Sequence, residues 1–192
     1  MTTKNLIKNL INDSIEAKKE MLKPKQIEYI YNVANKIVET YKNNKKTITC
    51  GNGGSAADAL HFASEIVVRF EKNRKAAPSI SLSENMSAIT AIGNDLGYEF
   101  IFSRQLEAFA RNGDVLIAIS TSGNSLNIIK ALEVAKKLSV FKIGMTNSEG
   151  GRMKDMCDLC YCAPSKITAR VQECHILLIH IIAKIIEEKI LN

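Results

Sequence analysis

Five short runs of apolar and β-branched residues recur along the chain, at 47–50, 79–82, 115–119, 140–145 and 159–163. Stretches with helical spacing alternate with them, at 56–70, 98–110 and 126–138. Such alternation predicts an α/β fold with a parallel sheet covered on both faces. Sheets of that kind bind ligands beyond the carboxyl ends of their strands. Chemistry is therefore expected in the loops that follow the strands. Two further helical patterns come first, Leu6, Leu10, Ile11 and Ile15, then Ile27, Ile30, Val33, Ile37 and Val38, divided by Lys23-Pro24. The 192 residues suit one domain, at ~100–200 residues per domain.

Hydrophobic residues at 46% and charged residues at 24% exclude a wholly disordered chain. The richest apolar stretch, 171–191, is interrupted by His175, His180, Lys184, Glu187, Glu188 and Lys189. A membrane span needs ~20 mostly apolar residues, so no membrane partner is expected. The N-terminus lacks the apolar core and cleavage site of a signal peptide, and the five cysteines are an odd number. Both point to a reducing, cytoplasmic setting. Cys157, Cys160 and Cys162 read as small hydrophobes in a short strand, because no second C-x2-C pair completes a four-thiolate zinc site.

Two strand-to-helix loops carry the richest chemistry. The first run ends in Cys50-Gly-Asn-Gly-Gly-Ser55. Its glycines permit a tight turn and close approach to a ligand, Ser55 can cap the following helix, and N–H groups at a helix start favour an anion. A turn with a cap and an anion site both fit this loop. The third run ends in Ser120-Thr-Ser-Gly-Asn-Ser125. One hydroxyl suffices for capping, so three are surplus. Hydroxyls with helix N–H groups hold a phosphate without any Lys or Arg. In Gly93-Asn-Asp95, two readings stand: Asn94 and Asp95 bind sugar hydroxyls, or Asp95 caps a helix beginning near Gly97.

Acid–base candidates are few, with three histidines in all. His61 and Glu65 lie four apart, on one helix face. Such a pair suits a divalent metal, a base with its orienting partner, or a plain surface hydrogen bond. The C-terminal helix carries Gln172, Glu173, His175 and His180 among Val171, Ile176, Leu177, Leu178, Ile179, Ile181 and Ile182. Apolar cover on nearly the whole circumference predicts burial in the core or in a subunit interface. His175 and His180 are about 140° apart on an ideal helix, and Gln172 and His180 are about 12 Å apart along its axis. Gln172 and His180 share one ion only if they lean together or come from different subunits.

Taken in order, Cys50–Ser55, 60–65, 93–95, 119–125 and Arg170-Val-Gln-Glu-Cys-His175 with His180 resemble the phosphoheptose isomerases of the SIS (sugar isomerase) fold. The resemblance covers essentially the whole chain. It implies a three-layer, flavodoxin-like domain over 1–192, with a central five-stranded parallel sheet and an N-terminal helical extension of about 1–44. It implies substrate contacts from Asn52, Gly53, Gly54, Ser55, Glu65, Asn94, Asp95 and Gln172, and phosphate contacts from Ser120, Thr121, Ser122 and Ser125. It implies one zinc per subunit held by His61, Glu65, Gln172 and His180, with Glu65 as catalytic base and His180 as acid. It also implies a homotetramer with interfacial active sites. The implied reaction turns D-sedoheptulose 7-phosphate into D-glycero-D-manno-heptose 7-phosphate through an enediol, the first step toward heptose units of lipopolysaccharide core or capsule. Some family members have an Asp where this chain has Ala169, so no role is carried over to that position.

A different function resembles the same loops: a non-enzymatic SIS tetramer that binds the bacterial replication initiator. That branch lacks counterparts of Glu65 and His180, and this chain has both. The net charge of +6 comes from scattered basic groups, there is no Trp, and aromatics are 6%. Little is available for stacking bases, so no nucleic acid partner is expected. The basic balance instead suits a small phosphorylated sugar.

Overall fold

β1 (Thr47–Gly51) and β3 (Val115–Ile119) lie side by side at the centre of one sheet and are buried along their whole length. The computed structural model describes residues 1–190. β2 (Ser79–Ser81) flanks β1, while β4 (Phe141–Thr146) and β5 (Leu159–Cys162) follow β3, giving the order β2-β1-β3-β4-β5. Every pairing is parallel, with Thr49 opposite Ile117 and Ile117 opposite Ile143. This is the flavodoxin-like order. The chain leaves β1 in one direction and crosses back to β3, so the loops after these two strands diverge and leave a crevice between them.

Alternate residues of the strands face two separate cores, as a period of two requires. Val115, Ile117 and Ile119 join one core with Ile143, Met145 and the helices α2 (Pro24–Lys42), α3 (Gly54–Val67) and α7 (Thr168–Ile190). Ile48, Cys50, Leu116 and Ala118 join the other with α5 (Ser103–Phe109) and α6 (Leu126–Lys137). α4 (Met86–Asp95) has no fully buried residue, but its half-buried Ile89 and Ile92 pack against this second core. α1 (Thr3–Glu20) packs on α7 and buries only Ala17, leaving Leu6, Ile7, Leu10, Ile11 and Ile15 exposed.

Two helices differ from the sequence expectation. The 98–110 stretch splits into a 3₁₀ turn at Tyr98–Phe100 and α5. The Ser103 hydroxyl donates to the Phe100 carbonyl and competes with the helical ladder. α3 stops at Val67 rather than 70, because the Arg74 guanidinium takes the carbonyls of Glu65 and Ile66.

Candidate active site

Crowding by backbone demands the glycine that ends β1. A Cβ on Gly51 would lie 2.2 Å from the Ser55 carbonyl oxygen, and one on Gly54 would lie 2.5 Å from Gln172 Nε2. Gly53 has φ +56° and occupies the position before α3. No side chain caps that helix: Ser55 lies inside its first turn, buried, contrary to the expected cap.

The loop after β3 turns its hydroxyls toward one another. Ser120 Oγ is 3.0 Å from Ser125 Oγ and 3.5 Å from Ser122 Oγ, and Ser122 Oγ also accepts from the Asn124 N–H. Ser125 precedes α6, but no side chain caps the helix. The first N–H groups of α6 thus stay without side-chain partners beside three hydroxyls, an arrangement suited to an anion. Thr121 is half-buried at the rim. Gly123, at φ +67°, packs so closely on the turn behind it that a Cβ would lie 2.1 Å from the Gly150 carbonyl oxygen. The Met153 N–H donates to Gly123 and the Arg152 N–H to Asn124 Oδ1, which fixes the loop from behind.

Asn52 and Asn127 join the two loops by reciprocal amide bonds, both 2.9 Å, and Tyr98 Oη donates to Asn52 Oδ1 at 3.1 Å. The sequence reading missed Asn127 and Tyr98. Asn127 is buried next to Ile128 and Ile129, and an amide in such company was the available signal. Asn94 and Asp95 end α4, both exposed, with Asn94 Nδ2 donating to Asp95 at 2.8 Å. Asp95 caps no helix; Gly97 precedes the next turn.

α3 and α7 run parallel. Gly54 faces Gln172, His61 faces His180, and Phe70 faces Glu187. His61 Nε2 lies 3.0 Å from His180 Nε2 and 3.3 Å from Glu65 Oε1. Gln172 rests on the glycine loop, two turns and about 12 Å from His180 along α7. Within one chain, then, His61 contacts both Glu65 and His180, while Gln172 stands apart. Among the described residues no group of three or more His, Cys, Asp or Glu side chains is placed so that it could hold a metal ion. His175 turns away to the Thr146 carbonyl, 3.2 Å from its Nε2, and burial pushes its pKa down to about 4. Asp58, one turn before His61, escaped the sequence reading; burial pushes its carboxyl up to about 6, and among the described residues its Oδ2 has no hydrogen-bond partner.

The SIS domain family profile matches residues 12–147. The chain belongs to the SIS domain family. Within the SIS domain family its relatives are phosphoheptose isomerases, and this chain is an isomerase of that aldose–ketose class. It is 48% identical to the phosphoheptose isomerase of Clostridium acetobutylicum over 188 residues, 97% of this chain and 96% of that one. The solved phosphoheptose isomerase of Neisseria gonorrhoeae superposes with a TM-score of 0.92 at 39% identity, covering 97% of this chain and all of the other. That of Francisella tularensis gives 0.94 at 36% identity, covering 98% and 100%. The five-stranded parallel sheet of this SIS domain chain agrees with the sequence expectation.

Proposed function

We propose that the chain converts D-sedoheptulose 7-phosphate to D-glycero-D-manno-heptose 7-phosphate by moving a proton between C1 and C2 through an enediol. The observation that carries this reading is the hydroxyl cradle of Ser120, Ser122 and Ser125 in the β1/β3 crevice. Its hydroxyls and the α6 N-terminus receive the phosphate, with Thr121 at the rim. Asn52, Gly53, Gly54, Ser55, Asn94, Asp95 and Gln172 bind the sugar. Glu65 takes the carbon-bound proton, and His180 manages the proton on oxygen.

The donor types around His61 suit zinc, although among the described residues one subunit alone places no three of them to hold the ion. Zinc takes His nitrogen and carboxylate oxygen at ~2.0–2.2 Å, which puts neighbouring ligand atoms roughly 3.3 Å apart in a tetrahedral site. The observed separations of 3.0 and 3.3 Å are close to that. His61, Glu65 and His180 would hold the ion, and Gln172 would join them from a second subunit. When bound, zinc supplies a Lewis acid that polarises a carbonyl.

The exposed apolar side of α1 supports assembly of copies into a homotetramer around one such domain, 1–192 with its extension of about 1–44. Among the described residues no helix is long and apolar enough to cross a membrane. We assign the work to the cytoplasm, at the first step of heptose supply for lipopolysaccharide core or capsule. The test is incubation with sedoheptulose 7-phosphate, with and without zinc, and detection of the aldose. Product in either arm is expected; none in both overturns the reading.

A further inference from the structure

Arg74 and Glu187 form an ion pair in which each side chain is only 1% exposed. Burying two charges is costly unless their remaining donors and acceptors are satisfied. Here they are, and the partners are specific. Glu187 Oε1 accepts from the N–H of Phe70 at 2.8 Å and of Glu71 at 3.1 Å; Oε2 accepts from Glu71 at 2.9 Å and Lys72 at 3.0 Å. Arg74 Nε donates to the carboxylate at 3.3 Å. The other side of the guanidinium closes α3: Nη1 donates to the Ile66 carbonyl at 2.8 Å and Nη2 to the Glu65 carbonyl at 2.5 Å.

The segment gripped by Glu187 carries the Phe70 ring, whose centroid lies 5.7 Å from that of His180 at an interplanar angle of 32°. Glu187 itself stands seven residues, about 10 Å, beyond His180 on α7. The pair therefore holds two things at once: the backbone of Glu65, and the ring that backs the His180 imidazole. Ending α3 alone needs no buried charge, since helix ends are commonly closed by glycine or water.

We propose that Glu187, together with Arg74, is a positioning residue for the Glu65 and His180 side chains. It acts through the backbone of residues 70–72, which seats Phe70 against His180. The proposal rests on the catalytic reading of Glu65 and His180 given above. Displacing a reacting group by ~1 Å costs on the order of 100-fold in rate, so a small shift here is measurable.

The test is Glu187→Gln in the full-length protein. The amide offers one acceptor oxygen where the carboxylate offers two, and its NH2 faces backbone donors. The expected result is a fall in kcat of about ten-fold or more, with KM changed by less than about two-fold. The KM is spared because the phosphate cradle lies on other elements. Phe70→Leu should act in the same direction, and the double variant should be no worse than the poorer single variant. A second readout is independent of turnover. With only three histidines, the imidazole NMR signals are assignable. Those of His61 and His180 should move in both variants, while those of His175 stay. Unchanged kcat, a loss confined to KM, multiplying losses in the double variant, or unmoved His180 signals overturn the proposal. If Glu187→Gln does not fold, Phe70→Leu decides by the same readouts. If the unmodified protein does not turn over sedoheptulose 7-phosphate, the catalytic reading fails, and the NMR arm still decides the positioning.

Discussion

The imidazoles of His61 and His180 meet Nε2 to Nε2 at 3.0 Å, although 119 residues separate them in the chain. A hydrogen bond between two such nitrogens needs one donor and one acceptor. The parallel packing of α3 on α7 brings the rings together, and Glu65 follows His61 by one turn on α3. The pair thus joins the helix after the glycine loop to the C-terminal helix.

Removing either reactive group should stop turnover without unfolding the chain. Glu65 and His180 are partly exposed, so Glu65→Gln and His180→Gln leave no large cavity. Proton transfer by a placed side chain is worth ~10²–10⁴-fold, and kcat should fall by about that factor. Product formation from sedoheptulose 7-phosphate, with circular dichroism as the folding control, checks it. Normal turnover in a folded variant would remove the assignment.

Zinc should matter through the same side chains. Treatment with a chelator should lower turnover, and added zinc should restore it. His61→Ala removes the ring that contacts both Glu65 and His180, so zinc should then restore little. Metal analysis beside the rates distinguishes loss of the ion from loss of a proton carrier. Equal recovery in His61→Ala would remove His61 from the ligand set.

The phosphate cradle predicts a different kinetic signature. Ser120→Ala and Ser125→Ala each delete one hydroxyl from a pair 3.0 Å apart. A hydrogen bond to a charged group is worth ~1.5–3 kcal/mol, so KM should rise by about 10- to 100-fold per site. Inorganic phosphate should weaken as a competitive inhibitor in parallel. A fall in kcat with unchanged KM would place the phosphate elsewhere.

The strands were legible because β3 is a continuous apolar run and β1 alternates β-branched threonines with apolar residues, both buried along their whole length. The two loops were legible because glycines and hydroxyls exceed what a turn and a cap require. What escaped were single polar residues whose partners are distant in sequence. Asn127 meets Asn52 across 75 residues, and Glu187 meets the 70–72 backbone across more than 110. On a helix wheel Glu187 reads as a surface charge near the end of α7, and only the fold reveals the donors that bury it. The helix over 98–110 failed for a local reason, the Ser103 hydroxyl bonding to Phe100.

Asn127 also predicts a stability effect. Asn52→Ala leaves a buried amide without its partner, at a cost of ~1–3 kcal/mol. Replacing Asn127 as well, in Asn52→Ala/Asn127→Leu, should recover part of that loss. Urea unfolding midpoints of the two variants check it. No recovery would mean that the amide pair carries little of the stability.

His175 predicts the response to acid. It is fully buried, and its imidazole titrates near pH 4 because burial opposes the charge, although the Thr146 carbonyl acts the other way. An unfolded imidazole titrates near ~6.5. Between those values the unfolded chain binds more protons than the folded one, so stability rises with pH across that window. The contribution is whole above the unfolded value and is lost as pH falls toward 4. At ~1.4 kcal/mol per pH unit the gap amounts to about 3 kcal/mol. Urea midpoints measured from about pH 7 down to about pH 4.5 should fall less steeply in His175→Gln than in the unmodified protein. The Gln amide still reaches toward the Thr146 carbonyl but binds no proton. Identical slopes in the two proteins would mean that His175 is not the group that titrates.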